Sequence, residues 1–128
     1  MRTILLIIIF FLTITVNVFG CPSCDGDEIE VSGVVIKETF PGPPNYENIE
    51  DGDRPETCWF IVLENSMCFA PDGDYLDKEV VIKKIQLVQR SHKFIEGKKY
   101  RIKGITFPEH SGHHHSAVLL EVKSIKEL

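Results

Sequence analysis

The sequence predicts an all-β domain with one short helix, arranged as a small five-stranded barrel. Three observations carry that prediction. Runs rich in β-branched residues recur in the order strand, strand, strand, short helix, strand, strand. The 128 residues have room for one domain. The two least generic stretches, 41–56 and 108–116, fall between the first two and the last two strands. That order is the one found in OB-like barrels, where a helix commonly bridges strands three and four and the 1–2 and 4–5 loops line the ligand surface. A small antiparallel sandwich shares the same periodicity and stays open.

The first twenty residues read as a targeting segment. Arg2 gives a positive start, residues 4–16 (ILLIIIFFLTITV) are uncharged and mostly apolar, and Val18-Phe19-Gly20 leads to a cleavage point. This is the pattern of a secretory signal peptide over residues 1–20. The apolar run is short for a bilayer span, which needs roughly 20 residues. Residues 21–128 are then the single barrel domain. Val-Phe-Gly-Cys resembles a bacterial lipobox, with Cys21 as the candidate lipidation site, although Phe19 stands where a small residue is preferred. Ordinary cleavage after Gly20 also leaves Cys21 first. The expected location is exported, either periplasmic or anchored as a lipoprotein.

Glu30–Phe40 is the first strand, with Gly33 as a bend or bulge. Residues 41–56 carry four prolines, two glycines and many acids, a stiff loop long enough to be functional. Cys58–Glu64 is the second strand, with Trp59, Ile61 and Leu63 on one face. Glu79–Val88 is the third, with a bulge where alternation breaks. Gln89–Glu96 is the short helix, closed by Gly97. Lys98–Phe107 alternates with Tyr100, Ile102 and Gly104 on one side and Arg101 and Lys103 on the other. Residues 108–116 form the second loop and Ala117–Ile125 the last strand.

Export permits disulfides. Cys58 and Cys68 flank an extended run and are out of reach of each other unless the chain folds straight back. If the first two strands pair antiparallel, Cys24, before the first, lies beside Cys68, after the second, and Cys24–Cys68 is the preferred bridge. Cys58 is then free and packed, or pairs with an unlipidated Cys21. Cys21-x-x-Cys24 lacks the strand-to-helix setting of a redox motif.

The segment Thr39-Phe-Pro-Gly-Pro-Pro-Asn-Tyr-Glu47, then Gly52-Asp53, Glu56, Trp59 and Cys68, and finally His110-Ser-Gly-His-His-His115 with Val118-Leu-Leu120, resembles an exported bacterial family classed as a domain of unknown function. The resemblance implies a small periplasmic or surface-attached domain and no established activity. Cys58 departs from the family pattern.

Net charge is −5, but it is uneven: residues 24–77 hold fourteen acids against Lys37 and Arg54, while 78–128 hold eleven bases against five acids. Overall acidity, and bases without interleaved aromatics, argue against nucleic acid. No nucleophile elbow, phosphate loop or diagnostic acid pair appears, so the chain is not expected to be an enzyme. Asp72-Gly-Asp74 with Asp77 misses EF-hand spacing and reads as a surface turn. The expectation is a non-catalytic binding module whose rim uses Tyr46, Glu47, Glu50, Asp51, Asp53 and Glu56, facing the histidine loop and serving a basic protein or a small ligand. One alternative is a metal-binding accessory protein holding zinc or copper through His110, His113 and His115. Another is an inhibitor or immunity protein for a basic enzyme. Membrane contact is expected only through a lipid anchor.

Overall fold

The computed structural model describes residues 20–128, so the expected signal peptide lies outside the described residues except for Gly20. Five strands, β1 (Glu28–Pro41), β2 (Pro55–Phe69), β3 (Val80–Val88), β4 (Lys99–Pro108) and β5 (Val118–Glu127), close into a barrel in the order β1-β2-β3-β5-β4. β3 and β5 run parallel, and the other pairs are antiparallel. This is the OB arrangement.

Alternation in the sequence explains the closure. In β1, Ile29, Val31 and Val35 turn inward while Glu28 and Glu30 face solvent. In β4, Tyr100, Ile102 and Gly104 are buried and Arg101 and Lys103 exposed, as their spacing predicts. β1 serves two partners. Its first half pairs with β4 and its second with β2, and Gly33 pairs with both Tyr100 and Leu63. A Cβ at Gly33 would run into the Val62 carbonyl, so the bend needs glycine. The interior fills with Val35, Ile61, Phe69, Ile85, Ile102, Val118 and Leu120, all fully buried. Each such side chain contributes about 1.5–3 kcal/mol on burial.

Several expectations need correction. The irregularity expected in β3 lies in its pairing with β2, where Leu63 to Ser66 of β2 oppose Lys83 of β3. The face of Trp59, Ile61 and Leu63 is as expected, with Trp59 half-buried against the core; the fully buried Phe60 on the opposite face is the addition. Gln89–Glu96 forms no helix; residues 89–98 are an irregular connector ending in a turn at Gly97. Eight residues are too few to sustain a helix alone, and this run lacks a stripe. Phe94 is buried between Trp59 and Tyr100, Ile95 stays exposed, and the Ile95 N–H donates to the Tyr100 hydroxyl at 2.9 Å.

The disulfide also differs. It joins Cys21 to Cys68, with an S–S distance of 2.07 Å, and Cys24 is a buried free thiol. Beyond Gly33 the start of β1 leaves β2 for β4, so antiparallel pairing with β2 does not set Cys24 opposite Cys68. Instead the N-terminal segment lies parallel to that end. Ser23 bridges Ala70, and the Ala70 N–H donates to the Pro22 carbonyl at 2.8 Å. Counting back two residues on each side brings Cys21 opposite Cys68. The one Cys21 sulfur can be used either in this bond or in a thioether-linked lipid, so the disulfide is a feature of the unlipidated form.

Candidate functional site

The chain between β1 and β2 is built around one carboxylate. Asp53 is buried and accepts three backbone N–H groups, from Asn45 at 2.9 Å, Glu47 at 2.8 Å and Asn48 at 2.9 Å. Those bonds, led by the Asn48 N–H, hold its pKa below the usual carboxylate range. Prolines stiffen the entry, and the Gly42 N–H and Arg54 carbonyl close the base of the loop at 2.6 Å. Tyr46 adopts φ 58°, which swings its ring out of the loop.

The ring meets the β4–β5 loop. Gly112 lies against the Tyr46 ring so closely that a Cβ there would sit 3.0 Å from it. Tyr46 Oη lies 3.2 Å from His113 Nε2, and His113 Nδ1 lies 2.7 Å from Glu56 Oε2. A neutral imidazole protonated on Nδ1 satisfies both contacts, accepting from tyrosine and donating to the carboxylate. The two loops therefore meet at one rim, and Tyr46, Glu56 and His113 are the candidates that join there. Glu47, Glu50 and Asp51 point outward and are exposed.

The remaining histidines diverge. His110 and His114 pack edge to face at 4.4 Å between centroids, next to Phe107, and His114 Nδ1 accepts the His110 backbone N–H at 3.1 Å. Burial, with His110 and the other imidazoles close by, holds His114 below the usual imidazole range, a direction that suits its role as acceptor. His115 stacks on Phe40, 3.8 Å and 6° apart. His110, His113 and His115 are thus separated by their neighbours rather than gathered around one point. Among the described residues, the groups of three close enough to share an ion are Glu56, Cys58 and His115, and Cys21, Cys68 and Glu79. The second has both sulfurs in the disulfide.

Sequence reasoning missed the residue that fastens the second loop. Gln86 of β3 is buried; its Nε2 donates to the His113 carbonyl at 2.9 Å and its Oε1 accepts the His115 N–H at 2.5 Å. A polar residue between Ile85 and Leu87 in an apolar strand was the available signal. Cys58, also buried, sits 3.8 Å from Glu56 Oε1; burial, then the Glu56 charge, pushes its thiol up to about 11. On the other flank of the β4–β5 loop a cleft of about 530 Å³ opens between Arg90, Ser91, Phe107, His110 and Glu121.

Comparison with curated proteins and with solved structures finds no match. Residues 77–126, which hold β3, β4, β5 and the histidine loop, match the family model described as a Domain of unknown function (DUF4431), in line with the resemblance carried by that loop.

Proposed function

We propose that this chain is an exported, non-catalytic binding module whose recognition edge is the loop between β1 and β2, braced by the histidine loop, and whose partner is a cationic protein. One observation carries the reading. Four of the seven acids on the strands, Glu30, Glu38, Glu64 and Glu121, have a Lys or Arg partner, whereas the clustered outward acids of the loop have none. Glu30 lies near Arg101 and Lys103, Glu38 pairs with Lys84, and Glu64 with Lys99. Glu47, Glu50 and Asp51 have no such partner among the described residues, and they surround Tyr46 and Ile49, which are 37% and 40% exposed. An apolar anchor ringed by uncompensated charge on a fixed backbone suits a protein interface. Stiffness lowers the ordering cost of binding.

The test is capture from the exported fraction at low and high salt. The wild-type protein is expected to retain a basic partner at low salt and to release it at high salt, because exposed charges are screened. Glu47→Lys/Glu50→Lys/Asp51→Lys is expected to abolish capture. A partner retained by this variant, or no partner under either condition, removes the reading.

A further inference from the structure

We infer that Glu56, Cys58 and His115 form a metal site for a thiophilic divalent ion, of which zinc is the type. The inference is independent of the recognition edge: a chain that captures no cationic partner can still hold the ion.

The three residues come from β2 and from the end of the β4–β5 loop, so the barrel and the loop together create the site. One carboxylate oxygen, the Cys58 sulfur and an imidazole nitrogen of His115 all lie within 4.8 Å of one another. Tetrahedral zinc with bonds of 2.0–2.3 Å places its ligand atoms about 3.3–3.8 Å apart. Small side-chain rotations therefore bring the three atoms onto one ion. Thiolate, imidazole and carboxylate together favour zinc or copper over magnesium or calcium, which want oxygen alone. Three protein ligands leave a fourth position for water or an outside ligand.

Each ligand is held by a separate contact. Glu56 and Cys58 are two apart on β2, so they project to the same face. Glu56 presents Oε1 towards Cys58 while Oε2 is engaged by His113 Nδ1 at 2.7 Å, a partner that orients a ligating carboxylate from behind. His115 is fixed by stacking on Phe40 and by its backbone bond to Gln86. The His115 Nε2 atom is enclosed and has no hydrogen-bond partner. An enclosed imidazole nitrogen without a partner is costly unless something occupies it. Cys58 is buried as well, and its sulfur has no better neighbour than Glu56.

The site differs from the histidine cluster in the sequence. Only His115 is shared; His113 supports the carboxylate, and His110 belongs with His114 on the other flank. That separation gives the test its controls. The protein is expressed with its own N-terminal segment, so that export and oxidation proceed, and is purified without a histidine tag. Zinc competition against a chromophoric chelator is expected to give one tight site per chain, weakened at least tenfold by Cys58→Ser and by His115→Gln, and little changed by His110→Ala. Cobalt bound to the wild-type protein is expected to show a thiolate charge-transfer band that Cys58→Ser removes. The band in the wild type does not depend on any variant folding. Absence of binding, binding without that band, or binding lost in His110→Ala and kept in Cys58→Ser overturns the assignment.

Discussion

Two loops of this barrel are chemically alike and are used differently. The segment 42–54 and the segment 70–79 each carry four acids, one base, one tyrosine and a glycine at positive φ. Each is organised by one aspartate. Asp53 gathers the N–H groups of Asn45, Glu47 and Asn48; Asp72 gathers those of Asp74, Tyr75 and Leu76 at 2.9–3.0 Å and also accepts from Cys24 Sγ at 3.2 Å. The difference lies in the anchoring. Leu76 is buried in the core, so 70–79 is sewn down beside the Cys21–Cys68 bridge. The equivalent apolar residue of 42–54, Ile49, faces solvent, and that loop is held through Tyr46 and Glu56 by its neighbour instead. One sequence device thus makes a structural turn in one place and an exposed, braced edge in another.

The largest effect expected from breaking the comparison comes from the anchored side. Cys68→Ser should cost about 2–4 kcal/mol in urea unfolding, with amide exchange rising first around 21–27 and 70–79 and little at 42–54. Equal loosening of both loops would show that they are not separately anchored. Next, Gln86→Leu leaves the His113 carbonyl and His115 N–H without their partner, at about 1–3 kcal/mol. Exchange in 109–117 and 42–54 should rise together, because the loops brace each other, while 70–79 stays protected.

A pH titration sharpens the same contrast. Asp53 and Asp72 both have folded pKa values below the ordinary carboxylate value, for Asp53 because of the Asn48 and Glu47 N–H groups and for Asp72 because of those of Leu76 and Tyr75. The stability they contribute is present above the unfolded pKa and is lost as pH falls through the folded one. Asp53→Asn should reduce the acid sensitivity of amide exchange in 45–48 only, and Asp72→Asn that of 74–76 only. A variant that alters both loops would contradict their independence. The smallest effect is expected from Tyr46→Phe, which removes an exposed hydroxyl contact and should cost under about 1 kcal/mol. A larger cost in thermal unfolding would mean that the tyrosine is part of the fold and not of an edge.

Much of this was legible in the sequence because alternation is local. Ile29, Val31 and Val35, or Tyr100 and Ile102, declare an inner face by spacing alone. The meeting of the two loops followed from strand order. The Cys21–Cys68 pairing did not, since it depends on a short parallel run of 21–23 beside 68–70 that no local pattern specifies. Phe60 and Gln86 were hidden for a related reason. They lie on a face that an open count of strands leaves to solvent, and the loops that cover it are tertiary features. The helix failed where a single buried aromatic, Phe94, replaced a periodic stripe.

The most direct measurement sets the two acidic loops against each other in one capture experiment. Glu47→Lys/Glu50→Lys/Asp51→Lys and Asp74→Lys/Asp77→Lys/Glu79→Lys change net charge equally. Loss of the basic partner with the first variant and full capture with the second is the expected result. Equal loss from both, or loss only from the second, would contradict a recognition edge between β1 and β2.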